Sequence, residues 1–597
     1  MCGIAGIINF NGQPVDKADL KLMTDAIKHR GPDGEGFYVY ENVGFGHRRL
    51  AIIDLTDAGA QPMTRFGCTI TYNGEIYNYI EIRQELEKKG IVFSTKTDTE
   101  VILAAYHVWG TECVQKFNGM WAFAIHDEAK QEVFFSRDRF GEKPLYYTQQ
   151  NGRFIFCSEI KGLQQILKQL RPNLLAVAKF IVHEKAEDFQ TTFYDQIEKL
   201  PAAHNLHINL YTGRQRLINY YRPDENIDGK QQNERDLINT FLSLFRHSVS
   251  IRLRSDVPVG TCLSGGIDSS AIASAASPLF RLKNNDVFSA VTACSIDPTN
   301  DDRNYASAVA EKLGLNWIPI LPEMGEFQQA IQHAILVQEE PVVSSSTIMQ
   351  YFVMKAAKEA GLKVMLDGQG ADELLLGYLP HIAWIIETLP VSERFNAAMQ
   401  ACRNNAMSMG RFLSVYFYHT NLQMKNARQM RRWNHLDEGL KNQLREAHIS
   451  ENEKNTLHSK QTAELTHGSL PMLLRYADKN AMAFSIETRL PFLDPALVEF
   501  IMNLPVHILL KDGWSKYLLR KAMQPLLPDQ VVWRRKKIGF EAPKKFIEFN
   551  DLHWKKIMAQ SVLLNRVIPN QKHVTNLADI HKWRLYSVAC WESSFLI

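Results

Sequence analysis

Short runs rich in apolar residues fill the chain up to about residue 205, with glycine, asparagine or aspartate between them. Such runs are typical of β-strands separated by turns. They are MCGIAGIINF, GFGHRRLAIIDL, CTITYNGEIYN, WAFAIHD, EVFFSRD and RFIFCSE. Helical spacing of apolar positions appears at 16–29, 79–89 and 99–117. The first part of the chain is therefore predicted to be an α+β domain with extensive sheet.

Beyond residue 235 the pattern changes to strands that alternate with helices. A helix at 235–254 is followed by strand VPVGTCLS, helix DSSAIASAAS, strand DVFSAVTACS, helix NYASAVAEKLG, strand NWIPILP, helix SSTIMQYFVMKAAKEAG and strand LKVMLDG. This order predicts an α/β domain with a parallel sheet. From about residue 382 the pattern is mostly helical. A polar tract ends the stretch 206–235, so the predicted domains are 2–215 and 236–597, with a linker at 216–235.

Length and composition fit a multidomain globular protein. The chain has 597 residues, of which 45% are apolar and 22% charged, and its formal net charge is only +3. So weak a charge predicts neither nucleic acid nor membrane as a partner. The basic run WRRKK at 533–537 is interpreted as a solvated surface or a small-anion contact. No apolar run reaches the roughly 18 residues that a membrane span requires.

The cysteines indicate a reducing compartment. There are eight, and none forms a CxxC pair or a Cys/His cluster with zinc spacing. The first residues, MCGIAGII, contain no basic leader and no cleavage site of a signal peptide. A cytoplasmic location is therefore expected.

Cys2 directly follows the initiator Met1. If Met1 is removed, Cys2 carries both a thiol and a free α-amino group, whose pKa near ~8 lets it accept the thiol proton. One residue then supplies nucleophile and base. Taken alone, a cysteine at position two is explained at least as well by chance.

The neighbouring motifs change this balance. Behind MCGI come, in order, HRGPD at 29–33, GHRRL at 46–50, NGEIYN at 73–78 and TDTE at 97–100. Together they resemble the class II glutamine amidotransferases, whose nucleophile is an N-terminal cysteine, and this implies an N-terminal-nucleophile sandwich. His29 and His47 are interpreted as structural hydrogen-bond partners, because the amine already supplies a base.

The resemblance implies a role for five further residues in glutamine hydrolysis. Arg49 clamps the α-carboxylate of glutamine, and Asp98 pairs with its α-ammonium. The side chain of Asn73 and the backbone N–H of Gly74 form the oxyanion hole. Glu75 lines the same pocket. Glutamine then gives a γ-glutamyl thioester, followed by glutamate and ammonia.

A second motif, SGGIDSS at 264–270, lies between a predicted strand and a predicted helix. Its glycines let the backbone wrap an anion, while hydroxyls and the helix N-terminus donate to it. The alternative without a ligand is a Gly-Gly turn followed by an N-cap residue, which is a common way to begin a helix. The motif is not GxxxxGK[ST], so transfer of a γ-phosphate is not indicated. It resembles the loop of ATP-pyrophosphatases, which split ATP between the α- and β-phosphates.

Four later segments extend the resemblance to the glutamine-hydrolysing asparagine synthetase family: DRNYA at 302–306, DGQGADE at 367–373, SIETRLPFLD at 485–494 and GWSKYLLR at 513–520. It implies that Asp268 and Asp372 hold Mg²⁺ on the pyrophosphate and that Lys516 neutralises developing charge. The implied ATP contacts are Leu263, Ser264, Gly265, Gly266, Asp268, Ser269, Ser270, Ala290, Asp367 and Gly368.

The implied reaction is formation of β-aspartyl-AMP from aspartate and ATP, then displacement of AMP by ammonia. Gln369 makes the acceptor uncertain, because the family carries a glutamate there, within SGEGSDE, for a catalytic role in adenylation. A glutamine neither takes a proton nor carries charge. Either a nearby acid such as Asp367 or Glu373 compensates and the product is asparagine, or the pocket is built for a different acid. The alternative is a relative that amidates another carboxylate, such as a sugar acid or a biosynthetic intermediate. The helical stretch 395–465 covers the acceptor pocket or is a plain insertion.

Two functions of other classes are less well supported. A catalytically silent scaffold need not retain both the nucleophile and the phosphate loop. A tRNA-thiolating enzyme is disfavoured because the sequence has no CxxC pair and carries an attached glutaminase. The oligomeric state is open, with a homodimer as the candidate.

Overall fold

A computed structural model describes residues 2–223, 233–449, 456–536, 541–548, 552–570, 574 and 577–596. The first part contains two antiparallel sheets of six strands each, in the orders β10-β8-β9-β1-β3-β2 and β12-β11-β7-β6-β5-β4. The strands are β1 (Gly3–Asn9), β2 (Gly34–Tyr40), β3 (Val43–Arg49), β4 (Met63–Arg65), β5 (Cys68–Ile76), β6 (Gly119–Asp127), β7 (Glu132–Arg137), β8 (Tyr146–Gln150), β9 (Arg153–Cys157), β10 (Glu198–Lys199), β11 (His204–Asn209) and β12 (Gln215–Asn219).

The two sheets form a sandwich with helices outside it. Buried residues of both sheets, such as Ile4 and Phe45 from one and Ala124 and Phe135 from the other, share one core. Helices cover the outer faces, because α1 packs on β1 and β3 and α3 packs on β5. The helices of this part are α1 (Lys17–Ala26), α2 (Tyr79–Glu87), α3 (Asp98–Trp109), α4 (Cys113–Lys116), α5 (Ile160–Leu167) and α6 (Leu174–His183).

The second part contains a parallel five-stranded sheet and many helices. Its strands are β13 (Val259–Cys262), β14 (Ser289–Ala293), β15 (Asn316–Ile320), β16 (Val364–Leu366) and β17 (Glu487–Arg489), and a separate hairpin has β18 (Leu510–Lys511) and β19 (Trp514–Ser515). The first helices are α7 (Glu234–Arg252), α8 (Ile267–Asn284), α9 (Arg303–Leu313), α10 (Met324–Gln338), α11 (Ser346–Glu359), α12 (Ala371–Leu374), α13 (Leu379–Thr388), α14 (Val391–Asn404), α15 (Met409–Thr420) and α16 (Leu422–Arg432). The remaining helices are α17 (Glu438–Ile449), α18 (Leu457–Thr466), α19 (Ser469–Met482), α20 (Pro495–Met502), α21 (Val506–Leu509), α22 (Tyr517–Met523), α23 (Asp529–Val532), α24 (Leu552–Gln560), α25 (Val562–Val567) and α26 (Asp579–Phe595).

The strand order β15-β14-β13-β16-β17 indicates where a ligand can bind beside this sheet. From β13 the chain adds β14 and β15 on one side, then crosses over to place β16 and β17 on the other. The order therefore reverses between β13 and β16. In open parallel sheets ligands bind outside the carboxyl ends of the strands at such a switch point.

The predicted fold class is confirmed, with an α+β sandwich followed by a parallel-sheet domain and a helical C-terminal part. The elements that were not predicted include the strands β2, β4, β8, β10, β11, β12 and β17 and the helices α5, α6 and α10. The predicted linker 216–235 includes most of β12 and the first residues of α7, and its residues 224–232 lie outside the described residues. Within the described part of the chain, no helix combines the length and apolarity needed to cross a membrane.

Candidate active sites

The first candidate site is a small cavity in the N-terminal sandwich. Cys2 stands immediately before β1, Arg49 ends β3, and Asp98 begins α3. Gly74 and Glu75 line the cavity from β5. The sequence-predicted residues Cys2, Arg49, Gly74, Glu75 and Asp98 all line this one cavity, and Asn73 contacts Cys2 directly.

Asn73 and Gly74, the two residues predicted to form the oxyanion hole, are consecutive residues of β5. The Oδ1 atom of Asn73 accepts a hydrogen bond from the backbone N–H of Cys2 at 2.9 Å. Its Nδ2 atom is buried and has no acceptor. At Gly74 a Cβ atom would lie 2.1 Å from the carbonyl oxygen of Met120, so only glycine fits. An amide donor left unsatisfied beside a nucleophile is what a developing oxyanion needs.

Two charged groups are placed to hold the ends of an amino acid. The Oδ2 atom of Asp98 accepts hydrogen bonds from the Tyr72 hydroxyl at 2.9 Å and the Ile76 N–H at 3.0 Å. The guanidinium of Arg49 donates to the carbonyl of Thr56 at 2.7 Å and to that of Asp54. These contacts fix a cation and a carboxylate on the walls of one cavity, which suits a zwitterion.

Protonation in this cavity is governed by burial. Burial raises the pKa of the Cys2 thiol, although the nearby Arg49 acts in the opposite direction. Burial, assisted by the charge of Asp98, raises the pKa of Glu75. The thiol at rest is therefore neutral and needs a base for its proton.

The two histidines near the motif are held by other partners. His29 Nε2 lies 3.2 Å from Glu159, and His47 Nε2 lies 3.2 Å from the carbonyl oxygen of Tyr72. Burial lowers the pKa of His47 to about 3, so this ring stays neutral. Both contacts agree with the structural role predicted for these residues.

The second candidate site is a cleft of about 400 Å³ at the carboxyl ends of the parallel strands. It coincides with the switch point between β13 and β16. The sequence-predicted residues that line it are Leu263, Ser264, Gly266, Asp268, Ser269, Asp367, Gly368, Gln369, Asp372 and Lys516. Gly265 and Ser270 belong to the same loop without lining the cleft, and Gly265 has a φ of +70° that favours glycine.

Ala290 is not placed at the cleft. Its side chain is fully buried in the core on the other face of β14. Val291 and Ala293 line the cleft instead. Side chains alternate between the two faces of a strand, so a shift of one residue decides which of them is exposed to a ligand.

The glycine-rich loop forms a compact anion cradle at the start of α8. The hydroxyl oxygens of Ser264 and Ser269 are hydrogen-bonded at 3.1 Å, and the Ser269 hydroxyl also accepts a hydrogen bond from the Ser264 N–H at 3.1 Å. The Gly266 N–H donates to the Ser264 hydroxyl at 3.3 Å. Polar groups thus gather at the N-terminus of a helix of 18 residues, where its dipole favours an anion.

Lys516 connects this loop to the opposite wall. Its Nζ atom lies 2.7 Å from Asp268 and 2.7 Å from Asp372. Burial disfavours the charged lysine, but the two carboxylates outweigh burial and raise its pKa. Two carboxylates that reach one ammonium group are close enough to share a cation. Their hard oxygens fit Mg²⁺, which takes one or two carboxylates together with substrate phosphates and water. Within the described residues there is no cluster of three or more metal-ligating side chains.

The structure adds cleft residues that the sequence did not single out. Arg520 lines the cleft, and burial lowers its pKa to about 10, which leaves it charged at neutral pH. Arg534, from the basic run, lines the cleft and pairs with Asp302 at 2.5 Å. Tyr378 also lines the cleft and donates to Glu373 at 2.6 Å. The basic run was the signal for Arg534, and its interpretation as a small-anion contact fits this position better than a solvated surface does.

Both parts of the chain match known protein families. Residues 1–221 match the family model described as glutamine amidotransferase domain, and residues 240–580 match the model described as asparagine synthase. The chain is 32% identical to asparagine synthetase [glutamine-hydrolyzing] 1 of Bacillus subtilis (strain 168), over 97% of this chain and 93% of that protein. Asparagine synthetase [glutamine-hydrolyzing] 2 of the same organism is 33% identical, over 88% of this chain and 69% of that protein. A putative asparagine synthetase [glutamine-hydrolyzing] 2 of Methanocaldococcus jannaschii is 37% identical, over 64% of this chain and 76% of that protein.

Proposed function

Because the chain belongs to the asparagine synthase family, we propose that it transfers the amide nitrogen of glutamine to a carboxylate activated by ATP, with aspartate as the acceptor. It is a glutamine-hydrolysing carbon–nitrogen ligase. The observation that best supports this function is the presence of two preformed sites in one chain. One joins a buried cysteine to an unsatisfied amide donor, and the other joins a phosphate loop to a lysine between two carboxylates.

In the first site Cys2 attacks the side-chain amide of glutamine. Removal of Met1 turns the nitrogen of Cys2 into an amine that accepts the thiol proton, and Asn73 already orients this nitrogen. The Asn73 Nδ2 and the Gly74 N–H stabilise the oxyanion. Ammonia leaves, and water hydrolyses the thioester to glutamate. Arg49 holds the α-carboxylate of glutamine and Asp98 holds its α-ammonium.

In the second site the loop 264–270 holds the phosphates of ATP. The acceptor carboxylate attacks the α-phosphate, pyrophosphate leaves, and an acyl-adenylate forms. Lys516 stabilises the charge that develops there. Asp268 and Asp372 are the residues that would hold Mg²⁺, and a bound Mg²⁺ would neutralise charge on the pyrophosphate. Ammonia then attacks the acyl carbon and AMP leaves, giving asparagine.

Gln369 lies in the cleft and cannot act as an acid or base. Asp367 places a carboxyl group in the same cleft, two residues earlier in the chain. This arrangement supports an acceptor site in which Asp367 supplies the acidic group that Gln369 lacks. Aspartate then remains the substrate. Two further parts of the proposal are a cytoplasmic location, which the eight unpaired cysteines support, and assembly as a homodimer.

The function is tested by product analysis. The purified protein is incubated with glutamine, ATP, Mg²⁺ and a panel of carboxylates that includes aspartate. Asparagine, AMP and pyrophosphate are expected in equal amounts, and only with aspartate present. ADP and phosphate as products would contradict the second site, whereas an amide of another acid would change only the acceptor.

A further inference from the structure

One helix of the second domain extends from one candidate site toward the other. Leu473 and Tyr476 of α19 line the cleft of the parallel sheet. Further along the same helix, the buried Asp478 reaches the first domain. Its carboxylate pairs there with the guanidinium of Arg30, at 2.9 Å from Nη1 and 3.3 Å from Nη2. The HRGPD motif, whose second residue is Arg30, thus has a partner on a helix of the synthetase domain.

Arg30 in turn holds the residue that carries the nucleophile. Its Nε atom donates a hydrogen bond to the carbonyl oxygen of Cys2 at 3.1 Å. The backbone nitrogen of Cys2 is held by Asn73 at 2.9 Å. Side chains therefore fix the backbone of Cys2 on both sides of the thiol. Because a misplacement of about 1 Å can cost a factor of about 100 in rate, the position of Arg30 bears on the attack by this thiol.

The buried charge of Arg30 needs compensation, and two carboxylates supply it. Its guanidinium is 0% exposed and contacts Glu159 at 2.8 Å and Asp478 at 2.9 Å. Glu159 is shared with two other cations, His29 at 3.2 Å and Lys161 at 2.7 Å. Asp478 contacts both Nη atoms of Arg30, and such a forked contact fixes the plane of a guanidinium. The two carboxylates raise the pKa of Arg30 although burial opposes this.

We propose that Asp478 is a positioning residue for glutamine hydrolysis, which acts through Arg30 on the placement of the Cys2 thiol. A residue of the synthetase domain thereby sets the rate of the glutaminase, although other residues line the cavity of the first site. The inference rests on the proposed function of that site. It does not depend on which carboxylate accepts the nitrogen, because glutamine is hydrolysed in the other domain.

The test measures the two activities separately in the full-length protein. Release of glutamate gives kcat and KM for glutamine, and AMP formation with ammonium chloride, ATP, Mg²⁺ and the acceptor gives the rate of the second site. In Asp478→Asn we expect kcat for glutamine to fall about 10- to 100-fold, because Arg30 loses the partner that orients it. The KM for glutamine and the ammonia-driven rate should stay within about twofold of the wild type, since the groups that bind glutamine and ATP are unchanged.

Another ion pair between α19 and the first domain provides the matched control. Arg475 of α19 contacts Glu187 at 3.0 Å, and both side chains are buried. Glu187→Gln breaks this pair and should leave kcat for glutamine within about twofold of the wild type.

A double variant tests whether Asp478 acts through Arg30. Arg30→Lys keeps the positive charge but removes the Nε atom that donates to Cys2. It should lower kcat for glutamine at least as much as Asp478→Asn does. The double variant should be no slower than Arg30→Lys alone, because the second substitution then has nothing left to misplace. Losses that multiply would overturn the inference.

The remaining outcomes separate the inference from the proposed function. A folded Asp478→Asn with the wild-type kcat for glutamine, or with equal losses of both activities, would overturn the inference alone. If thermal unfolding shows that this variant does not fold, Asp478→Glu takes its place. Asp478→Glu moves the carboxylate by one methylene, and an unchanged kcat for glutamine would again overturn the inference. A wild-type protein that releases no glutamate would overturn the proposed function, and the inference with it.

Discussion

At the scale of single residues, Asn73 performs two tasks with the two ends of one amide. Its oxygen accepts from the nitrogen of Cys2 at 2.9 Å, which fixes the amide plane. Its nitrogen is thereby directed into the buried site without an acceptor of its own. The cost of leaving a buried donor unsatisfied is about 1–3 kcal/mol, and in the proposed mechanism this cost is recovered when the oxyanion forms. The geometry thus favours the transition state over the resting state.

We expect Asn73→Ala to lower glutamine-dependent synthesis about 100- to 1000-fold, the range measured for loss of one oxyanion donor. Ammonia-dependent synthesis should stay within about twofold of the wild type, because the second site is untouched. Both rates are measured as AMP formation. Cys2→Ala, which removes the nucleophile, is the control that defines zero glutaminase activity. A parallel loss of ammonia-dependent synthesis would show that Asn73 supports the fold instead.

At the scale of elements, three segments far apart in sequence bring the catalytic charges together. Asp268 lies in the first turn of α8, Asp372 in α12, and Lys516 immediately before α22. Lys516 has a φ of +54°, in the left-handed region that lysine rarely adopts. At Gly377 a Cβ atom would lie 2.0 Å from Lys516 Cε and 2.2 Å from Asp372 Oδ1. The elements therefore leave a passage that the lysine side chain fills.

Neutralising either carboxylate should abolish synthesis while leaving the first site active. Asp268→Asn and Asp372→Asn each remove a charge that the pyrophosphate-bound cation requires. AMP formation is expected to fall at least about 100-fold with either nitrogen source. Glutamate release from glutamine is measured in parallel and should persist. A variant that still forms AMP at the wild-type rate would exclude that carboxylate from the phosphate site.

At the scale of the whole molecule, one short strand connects the two sites. Glu487, at the start of β17, acts by its charge on the pKa of Cys2 and of Glu75. Arg489, at its end, has its carbonyl 3.0 Å from the N–H of Asp367. The Arg489 guanidinium also lies 3.9 Å from Glu75 across the domain interface. Three residues of backbone therefore reach from the surroundings of the cysteine to the cleft.

This proximity predicts that ammonia passes inside the protein. Free ammonia is largely protonated at neutral pH, and ammonium is not a nucleophile, whereas a buried route keeps the molecule reactive. During turnover with unlabelled glutamine, external ¹⁵N-ammonium should enter the product far less than its share of free ammonia. Cys2→Ala, supplied with ¹⁵N-ammonium alone, should give fully labelled product. Incorporation in proportion to the free pool would argue for release into solvent.

Much of the molecule follows from local sequence. Runs of apolar residues and helical spacing predicted the sandwich and the parallel sheet, because the strands and helices of the core bury apolar side chains that their own sequence contains. The strands β2 and β8 were missed because their burial depends on neighbouring strands rather than on their own alternation. The short motifs MCGI, NGE and SGGIDSS indicated both candidate sites, since the proposed chemistry needs specific atoms at fixed spacing along the chain.

The sequence by itself determined the residue types of the chemistry: a cysteine at position two, the phosphate loop, and the family that they indicate. Only the tertiary structure decided which partners those residues have. It placed Val291 rather than Ala290 at the cleft, paired Lys516 with both Asp268 and Asp372, and placed Gln350 beside Asp367. The physical reason is that charge compensation and burial depend on groups hundreds of residues apart, whose approach is set by packing and not by local spacing.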